Sequence, residues 1–572
     1  MRTIHSVITA GGLLLLCSSN AFIAPANASR QTKIFSRSAL PNVRQKETTK
    51  APSKHASFTK LAAAAEGIPE ESSGSKWRRR IQSLIPEPQE RKKLLPLAIM
   101  FFFIIFNYTI LRDTKDVLLV TAPKSGAEVI PFIKTYVNLP VAIGFATLYV
   151  KLTEWFDHKN IFYVCVAPFL TFFTLFATVL YPMRDVLHPH VFIDAVASQL
   201  PLGFAAPLAI VRNWSFSMFY VLAEMWGSVV ASLLFWGFAN EITTVDEAKK
   251  YYPLFGLGAN VALILAGQYN KWVSRQRLSF GPEVDAWGMS LRFLMGAVLA
   301  SGGIIVGCYK HIQDNVVPTL QSTKDAAKAA ASSPPSKERK RMTMRESFDF
   351  LRNSPYIRNL AVLVISYGLA INIVEVSWKS KLKQAFPDPN SYSSFMGNFS
   401  SATGVVTLVM MLVGRVIFQK FGWRTAAMIT PTVLGATGLG FFGLSIFRDA
   451  LAPITAALGT TPLMLAVLLG AVQNIACKAS KYSLFDPCKE MAYIPLDKDS
   501  KTKGKAAIDV AGMPLGKGGG ALLQQILIFG LGSLEASTPV LAVVLAAVVY
   551  FWLRSARSLA DQFDAAMSSD SK

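Results

Sequence analysis

Twelve stretches of this chain are apolar and almost free of charge, most of them long enough to cross about 30 Å of hydrocarbon as a helix. Inside hydrocarbon each backbone N–H and C=O needs an internal partner, so long runs of this kind fold as helices packed on one another. In the first half of the chain they are Leu94–Leu111, Glu128–Val150, Ile161–Tyr181, Phe216–Asn240, Leu254–Tyr269 and Leu291–Tyr309. In the second half they are Asn359–Trp378, Phe395–Phe418, Ala426–Phe447, Pro462–Ala476, Gly518–Gly532 and Val540–Leu553. His190–Val211 is also fairly apolar, but Asp194, Pro201, Gly203 and Pro207 interrupt it, so it is expected as a re-entrant or lumenal loop. Composition agrees: 52% of the residues are hydrophobic and 16% charged, against about a quarter charged in an ordinary soluble domain.

Between the two sets of six lies the polar segment Lys310–Arg358, with an Ala/Ser/Pro tract and the basic cluster Lys337-Glu338-Arg339-Lys340-Arg341, read as a flexible linker and a basic surface helix. The expected organisation is therefore an N-terminal six-helix half over 76–309, a central basic loop over 310–358, a C-terminal half over 359–555 and a tail over 556–572. Loop charges favour both termini and the central loop on one face, where Arg91–Lys93, Lys249-Lys250, the central cluster and Lys478–Lys505 gather. An all-α membrane protein of about twelve transmembrane helices in two six-helix halves is the major-facilitator-like layout, with substrate held between the halves near the midplane.

The net charge of +22 raises nucleic-acid binding as an alternative, but residues 1–93 carry +10 of it and most of the remainder sits in short loops, so no nucleic-acid partner is expected. The first residues read as a signal peptide over 1–22, with an apolar run Val7–Cys17 too short to span. From 23 to 75 follows a basic, Ser/Thr-containing arm of transit-peptide composition. That order, with Asn20-Ala21-Phe22-Ile23-Ala24-Pro25 at the junction, resembles the two-part leaders of proteins sent to secondary plastids in algae. The five cysteines form no Cys-x-x-Cys pair and the six histidines no cluster, so neither a metal nor a cofactor is expected.

Ionisable residues inside apolar runs carry the functional signal, because a charge facing lipid costs several kcal/mol and turns instead to a cavity or a partner. Lys134, Glu224, Glu375 and Lys517 are such residues. Positive charge in a central cavity suits an anion, with the carboxylates balancing the cations when it is empty; snorkelling lysines or helix-holding Glu–Lys pairs are the structural alternatives. Arg112-Asp113-Thr114-Lys115-Asp116, at the end of the first run, is either a solvated network or an entrance gate in which Arg112 or Lys115 meets phosphate. Gly516–Gly520 lacks the Gly-x-x-x-x-Gly-Lys-Ser/Thr pattern, so its glycines are expected to allow close helix contact or backbone approach to a ligand, not nucleotide hydrolysis.

Several runs carry a family resemblance: Asn107–Asp116, Ile130–Lys134, Tyr220–Glu224, Tyr251–Phe255 with Ala266-Gly267-Gln268, Phe395–Ser400, Ser480–Pro487, Lys489–Asp497 and Lys503–Val510. Over about residues 90–555 the chain resembles the nucleotide transporter family of plastids and obligate intracellular bacteria, the ATP/ADP translocases. The resemblance implies a non-enzymatic secondary exchanger that admits ATP to a plastid against ADP, with phosphate as a further charge-balancing partner and the inner envelope as its membrane. It also implies that Lys134, Glu224, Glu375 and Lys517 matter for transport; Lys505 and Asp509, in an equally family-like run, join the candidates. A proton-linked importer of several nucleoside triphosphates is the alternative within the class, and a membrane-embedded nucleotide-using transferase the alternative outside it.

Overall fold

The computed structural model describes residues 88–276, 281, 284–318, 354–496, 504–505, 508 and 512–570. The leader, the central basic cluster and Asp509 lie outside them. All the regular structure within the described residues is helical. The first six long helices are α1 (Pro88–Val120), α2 (Val129–Trp155), α3 (Lys159–Leu180), α4 (Trp214–Ile242), α5 (Val245–Gln276) and α6 (Ala286–Asn315). The second half opens with α7 (Pro355–Ala385) and then a continuous helical stretch, Pro389–Ile446. That stretch is two helices, α8 (389–421) and α9 (423–446), because Gly422 at φ 74° and ψ −176° breaks the path. A side chain there would be strained, which is why the corner is a glycine. The set ends with α10 (Pro462–Met491), α11 (Met513–Leu531) and α12 (Thr538–Ser568).

Most helices outrun the apolar windows that announced them. Helix α1 continues past Leu111 to Val120, α7 past Trp378 to Ala385, and α12 runs on through the segment expected as a tail. Once an apolar stretch has paid the nucleation cost, adding polar residues to either end is easy, so helix ends and apolar edges need not coincide. Helix α5 begins with charged residues and α11 with glycines. The interrupted segment 190–211 forms two short helices, His190–Ala197 and Ala205–Arg212, separated by a bend at Pro201.

The two halves repeat one packing plan. Helix α1 lies against α4, α5 and α6, while α7 lies against α10, α11 and α12. The halves meet along α5 with α8 and along α2 with α11. Twelve helices in this plan form the all-α, major-facilitator-like layout expected from the apolar runs. Among the described residues the twelve long helices alternate in direction, which puts the start of α1 and the end of α12 on one face, called here the terminal face.

Glycines set the closest approaches. A Cβ on Gly267 of α5 would lie 2.4 Å from the Gly397 carbonyl oxygen of α8, and one on Gly397 would lie 2.6 Å from that of Gly267. Between α7 and α11, a Cβ on Gly368 would meet the Gly516 backbone at 2.8 Å, so the glycine run at the start of α11 serves close helix contact. Gly267→Ala and Gly397→Ala are each expected to cost about 1–3 kcal/mol through overpacking against backbone, read as a lower unfolding midpoint in detergent. Gly144→Ala on α2, where nothing lies within 4 Å, should leave that midpoint unchanged or slightly raised.

Candidate functional site

Helical spacing turns separate charges into one lining. On α1, Arg112 follows Tyr108 by four residues, and Lys115 and Asp116 follow Arg112 by three and four, so they share a face. The pairs Glu375 and Lys379 on α7, and Lys478 and Tyr482 on α10, are each one turn apart. All of these line a central cavity, together with Lys134 of α2 and Glu224 of α4. Its less charged wall comes from α5 (Gly256, Asn260, Leu263) and α8 (Thr403, Thr407, Met411).

A chain of ion pairs crosses the cavity. Lys115 lies 3.1 Å from Glu224 and 3.1 Å from Asp116. Asp116 in turn is 2.8 Å from Lys379, which is 3.1 Å from Glu375. The path Glu224–Lys115–Asp116–Lys379–Glu375 thus starts in the N-terminal half and ends in the C-terminal one. Lys115, Asp116 and Lys379 are buried, and Lys115 also sits 3.7 Å from the Tyr220 ring centre. Removing one partner from a buried pair typically costs about 3–5 kcal/mol, because the other charge is stranded. Beside this chain Arg112 pairs with Asp113 at 3.1 Å and donates to Ser400 Oγ of α8 at 2.9 Å, while Ser400 donates to Asp113 at 2.7 Å.

Two cations are differently placed. Lys134 and Lys478 both line the cavity, and neither has an ion pair with any described residue; Lys478 lies 5.0 Å from the Phe399 ring centre. The lining therefore holds five cations (Arg112, Lys115, Lys134, Lys379, Lys478) and three carboxylates (Asp116, Glu224, Glu375). The surplus is positive, and it is concentrated on the lysines that carboxylates leave available. Such a site favours a polyanion of phosphate type, whose oxygens accept several charge-assisted hydrogen bonds at once. π-Helical turns stand at or beside the ions: Ile133–Asn138 contains Lys134, Gly227–Phe235 follows Glu224, and Lys481–Phe485 follows Lys478. Such turns re-aim side chains and recur at functional sites.

Among the described residues, the contacts that join the halves lie at this level or toward the face opposite the termini. Gln268 of α5 donates to Ser401 of α8 at 2.8 Å, and Gln525 of α11 donates to the Pro131 carbonyl and to Thr135 of α2, both at 2.9 Å. Ser290 donates to Asn390 at 2.7 Å, and Lys383 reaches the Ser125 carbonyl. Near the terminal face the pairs stay within a half: Lys93 with Glu247 at 2.6 Å, Glu90 with Tyr251, and Lys505 with Glu490 at 2.8 Å. The cavity is thus sealed toward the opposite face.

Of the residues singled out in the sequence, Lys134, Glu224, Glu375, Arg112 and Lys115 come together here. Lys517 does not line the cavity; it stands near the start of α11, its backbone against Gly368 of α7. Lys505 is bound to Glu490 and sits 5.8 Å from the Tyr493 ring centre, outside the lining. The sequence does not mark Asp116, Lys379 and Lys478 as site residues, because each follows the end of an apolar run and so resembles a loop charge. Their one-turn spacing from Arg112, Glu375 and Tyr482 was the available signal.

A polyanion site between two six-helix halves finds its counterpart in known sequences. The profile of the TLC ATP/ADP transporter family matches residues 69–563. The chain belongs to that family. The chain is 55% identical over 479 residues to ADP,ATP carrier protein 2, chloroplastic, of Arabidopsis thaliana, a match covering 84% of this chain and 76% of the relative. It is 57% identical over 472 residues to the plastidic ATP/ADP-transporter of Solanum tuberosum, covering 82% and 73%. To ADP,ATP carrier protein 1 of Chlamydia trachomatis it is 53% identical over 478 residues, covering 83% and 90%. Among solved structures, a D-xylose-proton symporter aligns with a TM-score of 0.49 at 11% identity, over 81% of this chain and 96% of that one.

For this member of the TLC family, purified protein should bind inorganic tripolyphosphate with an affinity that falls as salt rises. Lys134→Ala and Lys478→Ala are each expected to weaken that binding about tenfold or more, the loss of one charge-assisted bond. Lys505→Ala should leave it unchanged, and isothermal titration reads all three.

Proposed function

We propose that this protein is a secondary exchanger of ATP for ADP in a plastid membrane, importing ATP toward the stroma. The observation that carries the proposal is the pair of uncommitted cavity lysines, Lys134 and Lys478, beside the linked ion pairs in a chain of this family. A nucleotide triphosphate brings about three to four negative charges, and cationic donors must replace its water before it can leave solution. Lys134 and Lys478 would receive the phosphates first, with Arg112, Lys115 and Lys379 near enough to exchange a carboxylate for a phosphate oxygen. Glu224 and Glu375 would hold the cations in place when the site is empty. Lys517 and Lys505 would act from outside this lining, at the start of α11 and just before it.

No covalent step is needed for this work: the nucleotide leaves as it entered, and the protein supplies binding and a change of access. Plastid relatives and the composition of residues 1–75 support a plastid address, and the inner envelope of a secondary plastid is the membrane we favour. Phosphate moving with ADP would balance the charge difference between the two nucleotides.

Protein reconstituted in vesicles loaded with ADP should take up labelled ATP, with unlabelled ADP competing and the accumulated label remaining chemically unaltered. Lys134→Ala should abolish that uptake while leaving insertion and yield intact. Equal competition by GTP, CTP and UTP, together with stimulation by a pH gradient in unloaded vesicles, would instead establish a proton-linked importer. Label recovered on another molecule would establish a transferase.

A further inference from the structure

Asp116 has a position that no other carboxylate of the lining shares. One oxygen, Oδ1, lies 3.1 Å from Lys115 on its own helix; the other, Oδ2, lies 2.8 Å from Lys379 on α7. Its side chain is only 2% exposed, and the Asp116–Lys379 pair joins the first helix of one half to the first helix of the other. Both lysines also face the cavity in which a polyphosphate would sit, and each has a second carboxylate on its own half: Glu224 for Lys115 and Glu375 for Lys379.

That arrangement separates two kinds of bond. If the halves part toward the opposite face, Lys115 keeps Glu224 and Asp116, and Lys379 keeps Glu375; of these linked ion pairs, the one that must break is Asp116 to Lys379. In the empty protein no anion takes Lys379 in its place, and the same seam is also held by Arg112 with Ser400 and Gln268 with Ser401. A bound polyphosphate does replace it, because its oxygens can take over Lys379 as the carboxylate lets go. A ligand shifts a conformational equilibrium only as far as its contacts differ between the two states, and Lys379 would be such a contact.

We infer that Asp116 is the residue that makes exchange obligatory: it latches Lys379 across the halves until a substrate phosphate takes that lysine, so the empty carrier does not change its access. Asp116 is a positioning residue in this role, acting through Lys379 and not on substrate. The inference rests on the exchange function proposed above and adds to it which bond forbids the empty return.

The test compares labelled ATP uptake into empty and ADP-loaded vesicles containing the full-length protein. In the wild type, loading should stimulate uptake about tenfold or more. In Asp116→Asn and in Lys379→Gln, uptake into empty vesicles should rise to within about twofold of that into loaded ones, because the unladen carrier can now return. Asp116→Glu, which keeps the charge, should restore part of the stimulation. A variant inactive in both vesicle types is scored by a second reading. A cysteine placed at Ser401, 6% exposed in the α5–α8 seam, should react with an impermeant thiol reagent from the opposite face in ligand-free Asp116→Asn and stay protected in the Asp116 parent. Stimulation unchanged in Asp116→Asn, or Ser401→Cys equally protected in both backgrounds where uptake is lost, overturns the role of Asp116 while leaving wild-type exchange standing. Wild-type protein that exchanges no nucleotide at all would remove the proposed function and this inference with it.

Discussion

Charge within a membrane-embedded core must be answered by charge, and the linked pairs from Glu224 through Lys115, Asp116 and Lys379 to Glu375 are how this protein answers it. Isolated, any one of these side chains would cost several kcal/mol to hold away from water. Linked end to end, each cation has two carboxylate neighbours and the central carboxylate has two cations. The chain could not exist within one half, since its members come from α1, α4 and α7. It therefore makes the juxtaposition of the halves a condition for burying the charges at all.

The same arithmetic leaves Lys134 and Lys478 outside the linked pairs. A cavity in which every cation was satisfied would have little to offer an anion, and one with no carboxylates would be hard to keep folded when empty. Here the lining divides into ions that hold the walls and ions that await a guest, with Arg112 tied to Asp113 and Ser400 at the margin between the two. Structural repetition supports this division. Helices α1 and α7 occupy equivalent places in their halves, each packed on the last three helices of its set, and each carries the lysine that takes part in the linked pairs. Backbone-close seams, Gly267 against Gly397 and Gly368 against Gly516, bring the elements near enough for short side-chain bonds to span them.

Much of this architecture was legible in the order of residues. Apolar length marks membrane helices directly, because the thickness of hydrocarbon sets how many residues a crossing needs. Lys134, Glu224 and Glu375 stood out because an ion within an apolar run has few permitted surroundings. Asp116, Lys379 and Lys478 did not, since a charge following an apolar run looks the same whether the helix ends there or continues into a cavity wall. The segment 190–211 was recognised as broken by its prolines, but its resolution into two short helices depended on packing: the Gly203 position lies against the backbone of Phe529 on α11.

What the amino-acid order determined alone was the solvent and the class: a helical membrane protein in two sets of six, with cations inside and a family signature across most of its length. Periodicity and hydrophobicity are local properties, and a chain carries them wherever it is read. Which ions pair, which remain available and which ion pair of the cavity joins the halves was decided only by tertiary structure. Those facts depend on distances between helices far apart in the chain, and a shift of a few ångströms at α1 and α7 would change every one of them.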